Sequence, residues 1–81
     1  MYDDVVVDPE VFEKSKIHPT IIEQVRQQMM AQGDPNRPKG KAKKKWQEIV
    51  RLSGTRYAVN CHKENDKTVI TGMRQALRKK T

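Results

Sequence analysis

Two glycines and two prolines fall within eight consecutive residues, Gly33-Asp34-Pro35-Asn36-Arg37-Pro38-Lys39-Gly40. No regular helix or strand runs through such a stretch, because proline lacks the N–H that a ladder needs and restricts the residue before it. The elements of the chain must therefore lie on either side of residues 33–40, which read as a linker or exposed loop. The charge changes sign at the same place. Residues 1–35 hold seven acids (Asp3, Asp4, Asp8, Glu10, Glu13, Glu23, Asp34) against three bases (Lys14, Lys16, Arg26). Residues 36–81 hold fourteen bases against three acids (Glu48, Glu64, Asp66). The halves carry −4 and +11 of the net charge of +7.

The 81 residues, 35% of them apolar, allow one small domain with a modest core. Its two parts are an acidic N-terminal arm with an amphipathic helix over 1–35 and a basic helical half over 36–81. Cys61 is the single cysteine and cannot form an intramolecular disulfide, which points to a reducing compartment. The longest apolar run is Val5-Val6-Val7, far short of the ~20 residues that span a bilayer. Acidic residues precede it, so neither a membrane span nor a secretory signal is expected.

β-branched Val5, Val6 and Val7 favour an extended arm or short strand. Asp8-Pro9-Glu10 is a helix start: Asp caps, Pro fits the first helical position, and Glu complements the dipole. Val11 and Phe12 could anchor this turn before His18-Pro19 breaks it. Thr20 and Glu23 have the capping-box spacing, and Ile21, Ile22, Val25 and Met29 make one apolar face. With Gly33 and Pro35 as stop signals, the spacing predicts a helix over 19–32. The apolar face serves either the core or an interface with a second copy or another protein.

Past the loop, Ala42, Trp46, Ile49 and Val50 predict a helix over about 41–52, ended by Ser53-Gly54. A last helix starts near Asp66 or Thr68, with Val69, Ile70, Met73, Ala76 and Leu77 as its stripe. Gly72 inside it costs roughly 1 kcal/mol relative to Ala. Thr55 to Lys63 fits either period: Tyr57, Val59 and Cys61 alternate as a strand, while Thr55 can cap a short helix. The expected fold is mainly α, a three- to four-helix domain with an extended arm. The alternative is α+β, with a hairpin at about 55–71.

The helical choice creates a candidate helix-turn-helix in the C-terminal half. The run Leu52-Ser53-Gly54-Thr55-Arg56-Tyr57-Ala58-Val59 is similar to the turn region of bacterial repressor helix-turn-helices, with Gly54 to Val59 one residue shorter. In this reading Arg56, Asn60 and Lys63 face the major groove, where Arg suits guanine and Asn suits adenine. Lys39, Lys41, Lys43, Lys44, Lys45 and Arg51 hold phosphates, and Arg74, Arg78, Lys79 and Lys80 add backbone contacts. Trp46 follows the lysines and could stack on a base, but it also lies on the apolar stripe.

Chemistry is not expected. Cys61, His62 and distant His18 are too few and badly spaced for structural zinc. Gly40-Lys41 does not complete a phosphate-binding P-loop. Asp3-Asp4 sit on an arm without the fixed geometry of acid–base work. The sequence thus points to a non-catalytic nucleic-acid-binding protein without cofactor or metal, a small DNA-binding regulator, with duplex DNA favoured over RNA. It would be cytoplasmic, on the nucleoid, or nuclear in a nucleated cell. The alternative is a protein-binding adaptor or inhibitor docked on a polymerase or ribosome. Its protein interface would be Val5 to Phe12 or the Ile21, Ile22, Val25 and Met29 face, which could equally pair two copies.

Overall fold

The computed structural model describes residues 4–33, 37, 44–64 and 67–76. The elements run β1 (Asp4–Val7), α1 (Pro9–Lys14), α2 (Pro19–Gln32), β2 (Lys45–Leu52), β3 (Thr55–Glu64) and β4 (Lys67–Gln75). The strands form one sheet in the order β1-β4-β3-β2. β2, β3 and β4 are antiparallel neighbours, and β1 lies parallel to β4 at the edge. The fold is therefore a four-stranded mixed sheet with two helices, not the mainly helical bundle that the sequence led us to expect.

The acidic half follows its local signals. Asp8 caps α1 by accepting from the Glu10 N–H at 3.0 Å, with Pro9 at the first position. α2 begins at Pro19 and ends at Gln32, the bounds read from sequence. Its cap differs: His18 Nδ1 accepts from the Thr20 N–H at 3.1 Å, so the Thr20–Glu23 box does not form. Glu23 instead accepts from Arg26 Nε at 2.9 Å, and Arg26 Nη1 reaches the Val5 carbonyl at 3.0 Å. That contact ties α2 to the edge strand. Gly33 (φ +55°) closes α2 with its N–H on the Met29 carbonyl.

The basic half does not follow its apparent helical signals. Residues 45–52 are β2, and the expected helix residues 41–43 lie outside the described residues. Ser53 and Gly54, with φ of 51° and 82°, are the two central residues of a tight hairpin turn rather than a helix-turn-helix turn. Positive φ at both positions matches the twist of antiparallel strands. Residues 55–64 are β3, and the last expected helix is β4. The hairpin kept as the alternative is what forms there, and β2 extends it.

One face of the sheet is covered. Residues paired across neighbouring strands point to the same side. Val5 pairs with Thr68, Val7 with Ile70, Ile70 with Cys61, and Met73 with Val59, which pairs in turn with Glu48. Val5, Ile70, Met73, Val59, Cys61, Tyr57 and Val50 form the core with Val11 of α1 and Ile22, Val25 and Met29 of α2. Each such side chain, fully buried, contributes about 1.5–3 kcal/mol. Both charge halves thus share a single core.

Candidate nucleic-acid interface

The other face of the sheet carries no helix among the described residues. The strand register assigns its side chains. Arg51 pairs with Arg56; Ile49 with Ala58 and Arg74; Gln47 with Asn60 and Gly72; Lys45 with His62, Val69 and Val6; and Glu64 with Lys67 and Asp4. Five cations, Lys45, Arg51, Arg56, Lys67 and Arg74, therefore share one surface with the acids Asp4 and Glu64. None of the five forms an ion pair within the described residues. Glu64 is engaged by His62, Nε2 to Oε2 at 3.0 Å. Cations at this density on one side of a small protein make a positive field that attracts polyanions.

The centre of this face is polar and neutral. Gln47 Nε2 donates to Asn60 Oδ1 at 3.3 Å. Beside it β4 carries an extra residue: Cys61 pairs with Ile70 and Asn60 with Gly72, so Thr71 has no partner across the strand. The Thr71 hydroxyl donates to the Asn60 carbonyl at 3.3 Å, satisfying a group beside the bulge. Gly72 stands against Asn60, whose Nδ2 lies 3.2 Å from where a Cβ would sit. Ile49, at 55%, is the most exposed large apolar side chain among the described residues. Among the described residues no Phe, Tyr or Trp points this way, because Trp46 and Tyr57 belong to the covered face.

The residues singled out from sequence separate into three groups. Lys45, Arg51, Arg56, Asn60 and Arg74 come together on the open face. Lys44 is exposed just before β2, whereas Lys63 is 3% exposed and points to the covered side. A recognition helix presenting Arg56, Asn60 and Lys63 together is therefore absent, since adjacent strand positions point to opposite faces. Lys39, Lys41, Lys43, Arg78, Lys79 and Lys80 lie outside the described residues. Ile22, Val25 and Met29 are buried in the protein's own core and Ile21 is half-buried at its edge. Cys61 and His62 also point to opposite faces and cannot share a ligand.

Sequence reasoning missed Lys67 and His62, which the register adds to the open face. It also missed Arg37. This residue is buried and donates from Nε and Nη2 to the two carboxylate oxygens of Glu48, both at 2.8 Å. Trp46 Nε1 donates to the same carboxylate at 2.7 Å. No signal in the sequence marks Arg37 apart from the other bases of its half.

No protein-family model, no curated protein and no solved structure matches this chain. No helix among the described residues is long and apolar enough to cross a membrane.

Proposed function

We propose that this protein binds nucleic acid without catalysis, through the helix-free face of its sheet. The observation that carries the reading is the set of five cations, Lys45, Arg51, Arg56, Lys67 and Arg74, that share this face and have no ion-pair partner within the described residues. Unpaired surface cations neutralise phosphates and release counterions, which drives binding without reading sequence. Among the described residues no Phe, Tyr or Trp lies on the face to serve as a platform for base stacking. Gln47 and Asn60 between the cations are the groups able to touch base edges. The preference for duplex DNA rested on a recognition helix; in its place stands a phosphate-tracking surface open to DNA or RNA.

The test is a salt series on the full chain with duplex DNA, duplex RNA and single strands. Each phosphate contact adds about 0.9 to the slope of log K against log salt on B-DNA. Replacing Arg51, Lys67 and Arg74 by Gln is expected to weaken binding to every sequence alike and to flatten the slope by roughly 3 units. An unchanged slope in that variant overturns the assignment.

Phe12, 42% exposed on α1, favours a second reading, protein docking on the acidic helical side. Deleting residues 1–35 cannot separate the two readings, because β1 and α2 lie in that segment and supply core residues. Phe12→Ser is the cleaner variant. Intact nucleic-acid affinity with lost activity in cells supports docking, and intact activity removes it.

A further inference from the structure

At the end of the β2–β3 hairpin away from its turn, two lysines face each other. The Lys63 N–H donates to the Lys44 carbonyl at 2.9 Å, which continues the register that sets Lys45 opposite His62. Like charges directly opposite on antiparallel strands repel. Lys63 is 3% exposed, and its ammonium has no hydrogen-bond or ion-pair partner among the described residues. On its other flank Lys63 pairs with Thr68, a neutral residue. A cleft of about 310 Å3 opens at this end, lined by Lys44, Lys45, His62, Lys63 and Glu64. Glu64 is its one acid among the described residues, and that carboxylate is held by His62.

We propose that this cleft is a phosphate site. The ammonium groups of Lys63 and Lys44, cross-strand neighbours at the hairpin end, donate to the oxygens of one phosphate group. A tetrahedral oxyanion accepts from several directions at once, which suits two ammonium groups side by side; a carboxylate accepts mainly in one plane. The volume admits the phosphate and part of the group that carries it. Lys45 and His62 belong also to the open basic face, so a polynucleotide lying there can set one of its phosphates into the cleft. Only this last step rests on the proposed nucleic-acid binding.

The test is a titration of the isotope-labelled full chain with inorganic phosphate, at ionic strength held constant with chloride. Saturable amide shifts confined to residues 44–45 and 62–64 are expected. Lys63→Met should weaken them at least tenfold, and so should Lys44→Gln, an exposed substitution that keeps the test valid if the first variant fails to fold. Replacing Arg51, Lys67 and Arg74 by Gln should leave them unchanged. Shifts that chloride reproduces, or that persist in both lysine variants, overturn the site. Competition by an oligonucleotide with and without a 5′ phosphate then identifies the source. Displacement by both supports a backbone phosphate, and displacement by the phosphorylated strand alone supports a chain end. Displacement by neither overturns the polynucleotide step while the phosphate shifts stand by themselves. Oligonucleotide binding that survives without any phosphate shifts sinks the cleft and leaves the open face standing.

Discussion

Arg37 and Glu48 close a two-point ion pair inside the protein, Nε to Oε2 and Nη2 to Oε1, each at 2.8 Å. Arg37 also donates from Nη1 to the Met29 carbonyl at 3.3 Å, in the last turn of α2. Arg37 thereby links the last turn of α2 to β2. Removing one partner of such a pair leaves an uncompensated buried charge, at about 3–5 kcal/mol. Glu48→Ala is expected to lose that much in urea denaturation. Replacing both, Arg37→Met with Glu48→Leu, should recover most of it. A loss below about 1 kcal/mol in the single variant would mean that the pair does not link α2 to β2.

The β2–β3 turn depends on Gly54. Its φ is +82°, and no atom lies within 4 Å of where a Cβ would stand, so substitution is penalised by the backbone alone. Gly54→Ala should cost about 1–2 kcal/mol. Ser53, at φ 51°, tolerates that geometry less well than asparagine does, so Ser53→Asn should raise stability. Thermal unfolding of the two variants should move in opposite directions, and a shared direction would contradict the turn assignment.

Thr68 is fully buried and its hydroxyl has no hydrogen-bond partner among the described residues. An unsatisfied buried hydroxyl carries a desolvation penalty with nothing to offset it. Valine has nearly the same shape and suits a strand. Thr68→Val is expected to stabilise the protein by about 1 kcal/mol in chemical denaturation. A loss of similar size would mean that the hydroxyl has a partner in solution.

Burial pushes the Cys61 thiol up to about 12 from its ordinary 9.0; the Glu48 carboxylate adds to the shift and Arg37 opposes it. In the unfolded chain the thiol ionises near its ordinary value, while in the folded protein it keeps its proton. Between the two values the folded state holds the extra proton, so stability falls as pH rises through that window. The Cys61 contribution is complete below the ordinary value and declines above it, by up to about 1.4 kcal/mol per pH unit. Urea midpoints of the wild type and Cys61→Ala at about pH 8 and about pH 10 isolate the effect. The wild type should lose more stability across that interval, and parallel losses would remove the assignment. The thiol should also resist alkylation until the protein unfolds.

The helices were legible because their signals are local. Asp8-Pro9 starts α1, and Pro19 with Gly33 bounds α2, whatever the rest of the chain does. Strands β2 and β4 were hidden by two non-local arrangements. In β2 the inward positions are Trp46, Glu48, Val50 and Leu52, while Ile49 points outward. A buried acid and an exposed isoleucine erase the alternation that marks a strand, and Arg37 with Trp46 makes the buried acid tolerable. In β4 the extra residue Thr71 moves the inward set from Thr68 and Ile70 to Met73. Ile70 and Met73 then lie three apart, which imitates a helix.

The sequence by itself determined the segregation of charge, the break at residues 33–40 and the two helices, because capping, proline geometry and charge are short-range properties. Only the tertiary structure decided that the second half is a sheet, which bases share its open face, and that Lys63 is buried among other cations. Those outcomes depend on strand register and on one bulge, and a shift of one residue in register moves every side chain of a strand to the other side.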